Sequence, residues 1–173
     1  EGSDGWRRLF ERRFNQIDML STDENSYNGY MSTVYTALLC PNHTEYGYGL
    51  TRAPSDIVQK IRTVFQNADL DIVGMEPGKE SAIDVPSKFI PLDEHIKNEA
   101  LGALRPILEA WSGKKLRPTA AYGLRIYQNN ATLLMHLDKS LTHVISTILH
   151  IEHDDPQNNW PLVIEDLKGN RVE

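Results

Sequence analysis

His136-Leu-Asp138 places an imidazole and a carboxylate two residues apart, in a run whose residue types read as β-strand. Side chains at i and i+2 of a strand project from the same face, so these two can grip one metal ion together. They are two of the three ligands of the 2-His-1-carboxylate facial triad that holds non-haem Fe(II) and leaves positions open for a co-substrate and O2. The tripeptide alone fits a solvated surface pair as well. The flanking Leu133-Leu-Met135 is apolar and points to a partly buried strand, where an unpaired carboxylate is costly. A bound metal ion would remove that cost.

The other histidines compete for the missing ligand. In one extended strand, His143 and His153 would share a face while His150 points to the other. All three also read as ordinary strand histidines, with His150 left open as a substitute ligand. A Zn2+ site built from His136, Asp138 and a neighbouring histidine is a further reading. Tyr46-Gly-Tyr-Gly49 reads either as a packed loop or as an aromatic lid over a substrate. Arg125 shares a face with Tyr127 and would serve either a salt bridge to a core acid or a contact with substrate. Lys114, Lys115 and Arg117 follow a helix C-terminus, where cations complement the dipole, and Trp6, Trp111 and Trp160 read as core anchors.

The elements that must position these groups divide the chain in two. Trp6, Leu9, Phe10, Phe14, Ile17 and Leu20 recur at three- and four-residue intervals and predict an amphipathic helix over 4–20, its charged face towards water. Residues 21–53 read as irregular. Ser55 caps a second helix with Ile57, Val58, Ile61, Val64 and Phe65 on one stripe and Asn67 near its stop. A short strand over 70–73 and a loop over 74–88 follow. Asp93 caps a third helix with Ile96, Leu101, Leu104, Leu108 and Trp111 inward and Gly113 at its end, kinked or split at Pro106.

From Ala120 the period becomes strand-like. Strands are expected over 121–127, 132–137, 142–152 and 162–166, with turns at Gln128-Asn-Asn130 and Leu167-Lys-Gly-Asn170. The layout is α+β in a single domain over 1–173, with a mainly helical support region over 1–118 and the sheet over 119–173. Only Arg171-Val-Glu173 follows the last turn, so the sequence reads as stopping within a sheet.

Composition narrows the classes. The 173 residues suffice for one real core, and 18 basic against 24 acidic side chains give a net charge of -6. No basic block tracks a phosphate backbone, so nucleic acid is not an expected partner. Cys40 is the only cysteine, which rules out an intrachain disulfide and a thiolate metal site. No apolar run reaches the ~20 residues of a membrane span, and no signal-peptide core opens the sequence. Asn42-His-Thr44 and Asn130-Ala-Thr132 match the N-glycosylation pattern. They tilt the reading slightly towards the secretory pathway or ER lumen, and a cytoplasmic location stays compatible.

Tyr122-Gly-Leu-Arg-Ile-Tyr127, Leu133-Leu-Met-His-Leu-Asp138, Thr142-His-Val-Ile-Ser146 and Trp160-Pro-Leu162 occur in an order and spacing that resembles the 2-oxoglutarate- and Fe(II)-dependent dioxygenases, in their prolyl 4-hydroxylase-like branch. The resemblance covers about residues 100–173. It implies an incomplete double-stranded β-helix, or jelly roll, with the N-terminal helices packed on it. It implies Fe(II) on His136 and Asp138, Tyr127 at the 2-oxoglutarate carboxylate, and ascorbate as an accessory reductant. Leu133 stands where close prolyl hydroxylases carry a second tyrosine. The family's distal histidine, and the basic residue that pairs with 2-oxoglutarate, come further along the family domain than Glu173.

The expected function is therefore hydroxylation of a C-H bond, of a peptidyl, prolyl-like residue, in the full-length parent enzyme, with the 173-residue segment inactive on its own. The alternative is a non-catalytic jelly-roll module that binds a protein partner or ligand.

Overall fold

The computed structural model describes residues 4–20, 22–39, 43–76, 85–133, 135, 136, 138, 143–154, 161–166 and 170–173, with the backbone alone for 36–39. Among these the chain is α+β: four helices and two small antiparallel sheets, which do not close into a barrel. Cys40, Asn42, Trp160 and the Lys168-Gly169 centre of the last expected turn lie outside the described residues.

Helix α1 (Asp4–Ile17) forms where the apolar spacing places it. Its aromatic rings run down one side, Trp6 to Phe10 at 5.2 Å and Phe10 to Phe14 at 4.7 Å between centroids. The buried line is Gly5, Leu9 and Arg13, so one residue of the supposed water-facing side is inside.

Helix α2 (Asp23–Leu39) corrects the irregular reading of 21–53. Thr22 Oγ1 accepts from Asn25 N at 3.2 Å, and Asp23 and Glu24 stand in the first turn, where carboxylates favour the helix dipole. The helix lacks an apolar stripe and meets α1 through small residues. A Cβ on Gly29 would lie 3.0 Å from Ile17 Cγ1 and 3.4 Å from Leu20 Cδ1, and Thr33 is buried one turn later.

Helix α3 (Ser55–Gln66) runs from Pro54 at the N-cap position to Asn67 at the C-cap. Ser55 is thus its first residue rather than its cap, and its hydroxyl reaches Asp56 Oδ1 at 3.2 Å. The expected strand over 70–73 is a turn instead. Ile72 N and Val73 N both donate to Asp69 O at 3.2 Å, while Asp69 Oδ1 accepts from Asp71 N. A side chain that bonds the backbone two residues on competes with strand pairing.

Strand β1 (Lys88–Ile90) begins at the last residue of the expected loop and runs into residues that the sequence left unassigned, with Met75 bridging to Lys88 on one side. Helix α4 (Glu94–Ser112) has the cap read from sequence: Asp93 Oδ1 accepts from Ile96 N at 2.8 Å, and Gly113 takes the left-handed conformation at φ 64°. It runs unbroken through Pro106 and is not split. Helices α3 and α4 enclose the main core of Ile57, Ile61, Leu92 and Ala100, against which Leu149 and Ile151 pack. Trp111, expected as a core anchor, is 38% exposed.

Strand β2 (Leu124–Ile126) is shorter than expected and pairs antiparallel with β1, Phe89 opposite Arg125. Gly123 is required at its start, because a Cβ there would lie 2.2 Å from Ile90 O. The next turn is as expected, with Ala131 N donating to Gln128 O at 3.1 Å and Asn130 at φ 62°. The strand expected over 132–137 is absent from its described residues apart from one bridge residue, Leu133, and 143–152 has no strand pairing, with bends at Val144 and Ile145. Strands β3 (Ile164–Glu165) and β4 (Arg171–Val172) form a short antiparallel hairpin, closed by Asp166 and Asn170.

Candidate functional site

His136 and Asp138 lie in irregular chain, yet their side chains face each other: His136 Nε2 is 4.0 Å from Asp138 Oδ1. The i, i+2 spacing therefore brings the pair together without a regular strand. The side chains are 40% and 47% exposed. That departs from the partly buried setting the sequence suggested, and desolvation alone does not demand a metal here. Ser146 Oγ donates to Asp138 Oδ2, which turns the other oxygen towards the imidazole.

His136 also lines an open cleft of about 60 Å³ between α1, α2 and β3, with Leu9, Arg13, Ser32, Thr33 and Glu165. Its floor is charged. Arg13 Nη2 meets Glu165 Oε2 at 2.5 Å, and Arg12 Nε stands 2.8 Å from Glu165 Oε1. Burial lowers the Arg13 pKa from the usual arginine range, and Glu165 opposes that shift.

Tyr127 belongs to a separate network. Arg125 grips Glu76 with two donors, Nε to Oε2 at 2.5 Å and Nη2 to Oε1 at 2.9 Å, while Nη1 donates to Tyr127 OH at 3.1 Å. The salt-bridge reading of Arg125 holds, and hydrogen bonding to Glu76 raises its pKa. The phenol oxygen of Tyr127 thereby accepts from a guanidinium that Glu76 holds.

The remaining histidines do not follow strand alternation. His143 Nε2 lies 3.0 Å from Tyr122 OH, and their rings stack. His150 and His153, expected on opposite faces, stack on each other with His150 Nε2 3.2 Å from His153 Nδ1. The chain is not a strand there, so the alternation does not apply. Among the described residues no group of three or more His, Cys, Asp or Glu is placed to hold a metal ion.

Tyr46 and Tyr48 face the β3–β4 hairpin across a hollow of about 150 Å³ lined by Ile164, Asp166, Asn170 and Val172. Gly49 comes so close to Trp111 that a Cβ would lie 2.8 Å from its Nε1. Sequence reasoning missed Ser146, the Arg12–Arg13–Glu165 cluster and Glu76. Glu165 and Glu76 carried no local signal, because their partners are 152 and 49 residues away.

Among the described residues no helix is long and apolar enough to cross a membrane. No family model matches the chain, and neither a curated protein nor a solved structure matches it.

Proposed function

We propose that this chain carries part of the iron site of a 2-oxoglutarate- and Fe(II)-dependent dioxygenase of prolyl hydroxylase-like type, on an incomplete jelly roll, acting on a peptidyl side chain. The observation that carries the reading is the facing pair, His136 Nε2 and Asp138 Oδ1 at 4.0 Å. Two donors bound to one ion at right angles stand about 3 Å apart, given metal-ligand bonds of ~2.0–2.2 Å. Side-chain rotation closes that gap, and the exposure of both groups leaves room for it. The pair fits an ion as two of its ligands.

When bound, Fe(II) with 2-oxoglutarate and O2 supplies the oxidising chemistry that hydroxylates an unactivated C-H bond and releases succinate and CO2. His136 would give a neutral nitrogen and Asp138 one carboxylate oxygen, with Ser146 holding the other oxygen in place. Tyr127 would orient the 2-oxoglutarate carboxylate through its hydroxyl. Donation from Arg125 polarises that phenol and strengthens it as a donor.

The test is anaerobic Fe(II) titration of the full-length protein with and without 2-oxoglutarate. A weak visible charge-transfer band is expected, lost in His136→Ala and Asp138→Ala, together with succinate formation in air. A protein that binds Fe(II) equally well with both side chains removed does not have this site. Zn2+ gives no such band, so the same titration separates the zinc reading.

A further inference from the structure

His150 and His153 form a second pair of close donors, apart from His136 and Asp138. Their rings stack at 5.0 Å between centroids with planes 16° apart, and His150 Nε2 stands 3.2 Å from His153 Nδ1. Two imidazoles sharing one ion need that spacing: with metal-nitrogen bonds of ~2.0–2.1 Å, right-angle to tetrahedral arrangements put the nitrogens about 2.9–3.4 Å apart.

The mount is anchored while the rings are open. Leu149 and Ile151, on either side of His150, pack against the α3–α4 core. Arg62 Nη2 donates to Ile151 O at 3.0 Å, and Arg62 Nε stands 3.7 Å from Glu152 Oε2. Both histidines are exposed, so an ion reaches them from solvent. We propose that His150 Nε2 and His153 Nδ1 chelate a divalent transition-metal ion of the imidazole-preferring class, Zn2+, Cu2+ or Ni2+, at a site separate from His136 and Asp138. The two pairs do not merge, since no three metal-capable side chains converge among the described residues.

The proton balance is simple. Two neutral imidazoles carry one N-H each, and one of those now lies between the rings. Binding turns both inner lone pairs towards the ion, and the two protons reside on the outer nitrogens, His150 Nδ1 and His153 Nε2. Water or an external donor fills the remaining positions. Affinity falls as pH falls, because protons compete for the same lone pairs.

The experiment uses the full chain with His136→Ala and Asp138→Ala in place, titrated with Zn2+ by calorimetry while imidazole nitrogen resonances are followed by NMR. Zn2+ is expected to bind this background, to shift the His150 and His153 resonances, and to be unaffected by excess Mg2+. Adding His150→Ala or His153→Ala should weaken binding by more than about tenfold, at least the loss typical of an outer-shell partner. Both side chains are exposed, so an unchanged urea midpoint shows that the fold survives. Equal Zn2+ affinity with and without these histidines, or no Zn2+ binding in the background protein, overturns the proposal and leaves the iron reading standing.

Discussion

Arg13 Nη2 stands 2.5 Å from Glu165 Oε2, joining α1 to β3 across 152 residues of sequence. Arg12 reaches the other oxygen of the same carboxylate, so two guanidinium groups share one anion. The contact ties the N-terminal helix to the last hairpin and forms the floor of the cleft that His136 lines.

Removing Glu165 should therefore cost more than removing a surface partner. The Glu165 side chain is 5% exposed and that of Arg13 is 9%. Breaking a buried pair leaves an uncompensated charge, and Glu165→Ala is expected to lower stability by about 3–5 kcal/mol. Urea unfolding measures it. A loss below about 1 kcal/mol would mean that the pair behaves as a solvated one.

Glu109 links stability to acid. Its carboxylate accepts from Leu116 N at 2.8 Å and from Arg105 Nε at 3.0 Å, the backbone bond being the larger cause of a pKa lowered from 4.5 to about 2. Since the folded value is the lower one, the unfolded chain takes up the proton first as pH falls. The stabilisation is full above pH 4.5 and is lost on the way down through about 2. Urea midpoints across that window should fall less steeply for Glu109→Gln than for the unsubstituted chain, with the difference fading towards the acid end.

Gly123→Ala tests the close approach of β1 and β2. The added Cβ would lie 2.2 Å from Ile90 O and 2.6 Å from Phe89 Cζ, and the first contact is backbone, which cannot swing away. Overpacking of this kind costs about 1–3 kcal/mol or more. Because β2 carries Arg125 next to Tyr127, the substitution should also perturb the Tyr127 ring resonances in NMR spectra. A variant of unchanged stability and spectrum would mean that the two strands separate freely.

What sequence made legible follows from how local each cause is. Helices α1, α3 and α4 announce themselves through apolar spacing, and Asp93 and Gly113 mark the ends of α4 three and zero residues from their bonds and turns. Helix α2 hides because its inner face is Gly29 and Thr33, small and polar rather than apolar. The run over 70–73 looks like strand until Asp69 is counted as a competitor for its backbone. At the candidate site, the two-residue spacing was enough to anticipate that the side chains of His136 and Asp138 lie close together. Ser146 stands eight residues from Asp138 and follows from no local spacing rule, and the His150–His153 stack depends on the chain leaving strand geometry.

Ser146 gives the sharpest test of whether the His136–Asp138 pair is a built site. Its hydroxyl donates to Asp138 Oδ2, which fixes the carboxylate so that Oδ1 points to His136 Nε2. On the iron reading, Ser146→Ala frees the carboxylate to rotate, and Fe(II) affinity of the full-length protein should fall about 10–100-fold, as for other outer-shell partners of metal ligands. Ser146 is exposed, so stability should stay within about 0.5 kcal/mol. Ser146→Thr keeps the hydroxyl and should restore most of the affinity. An unchanged affinity in Ser146→Ala, alongside loss of binding in His136→Ala, would show that the ion itself orients Asp138 and that the serine only solvates it.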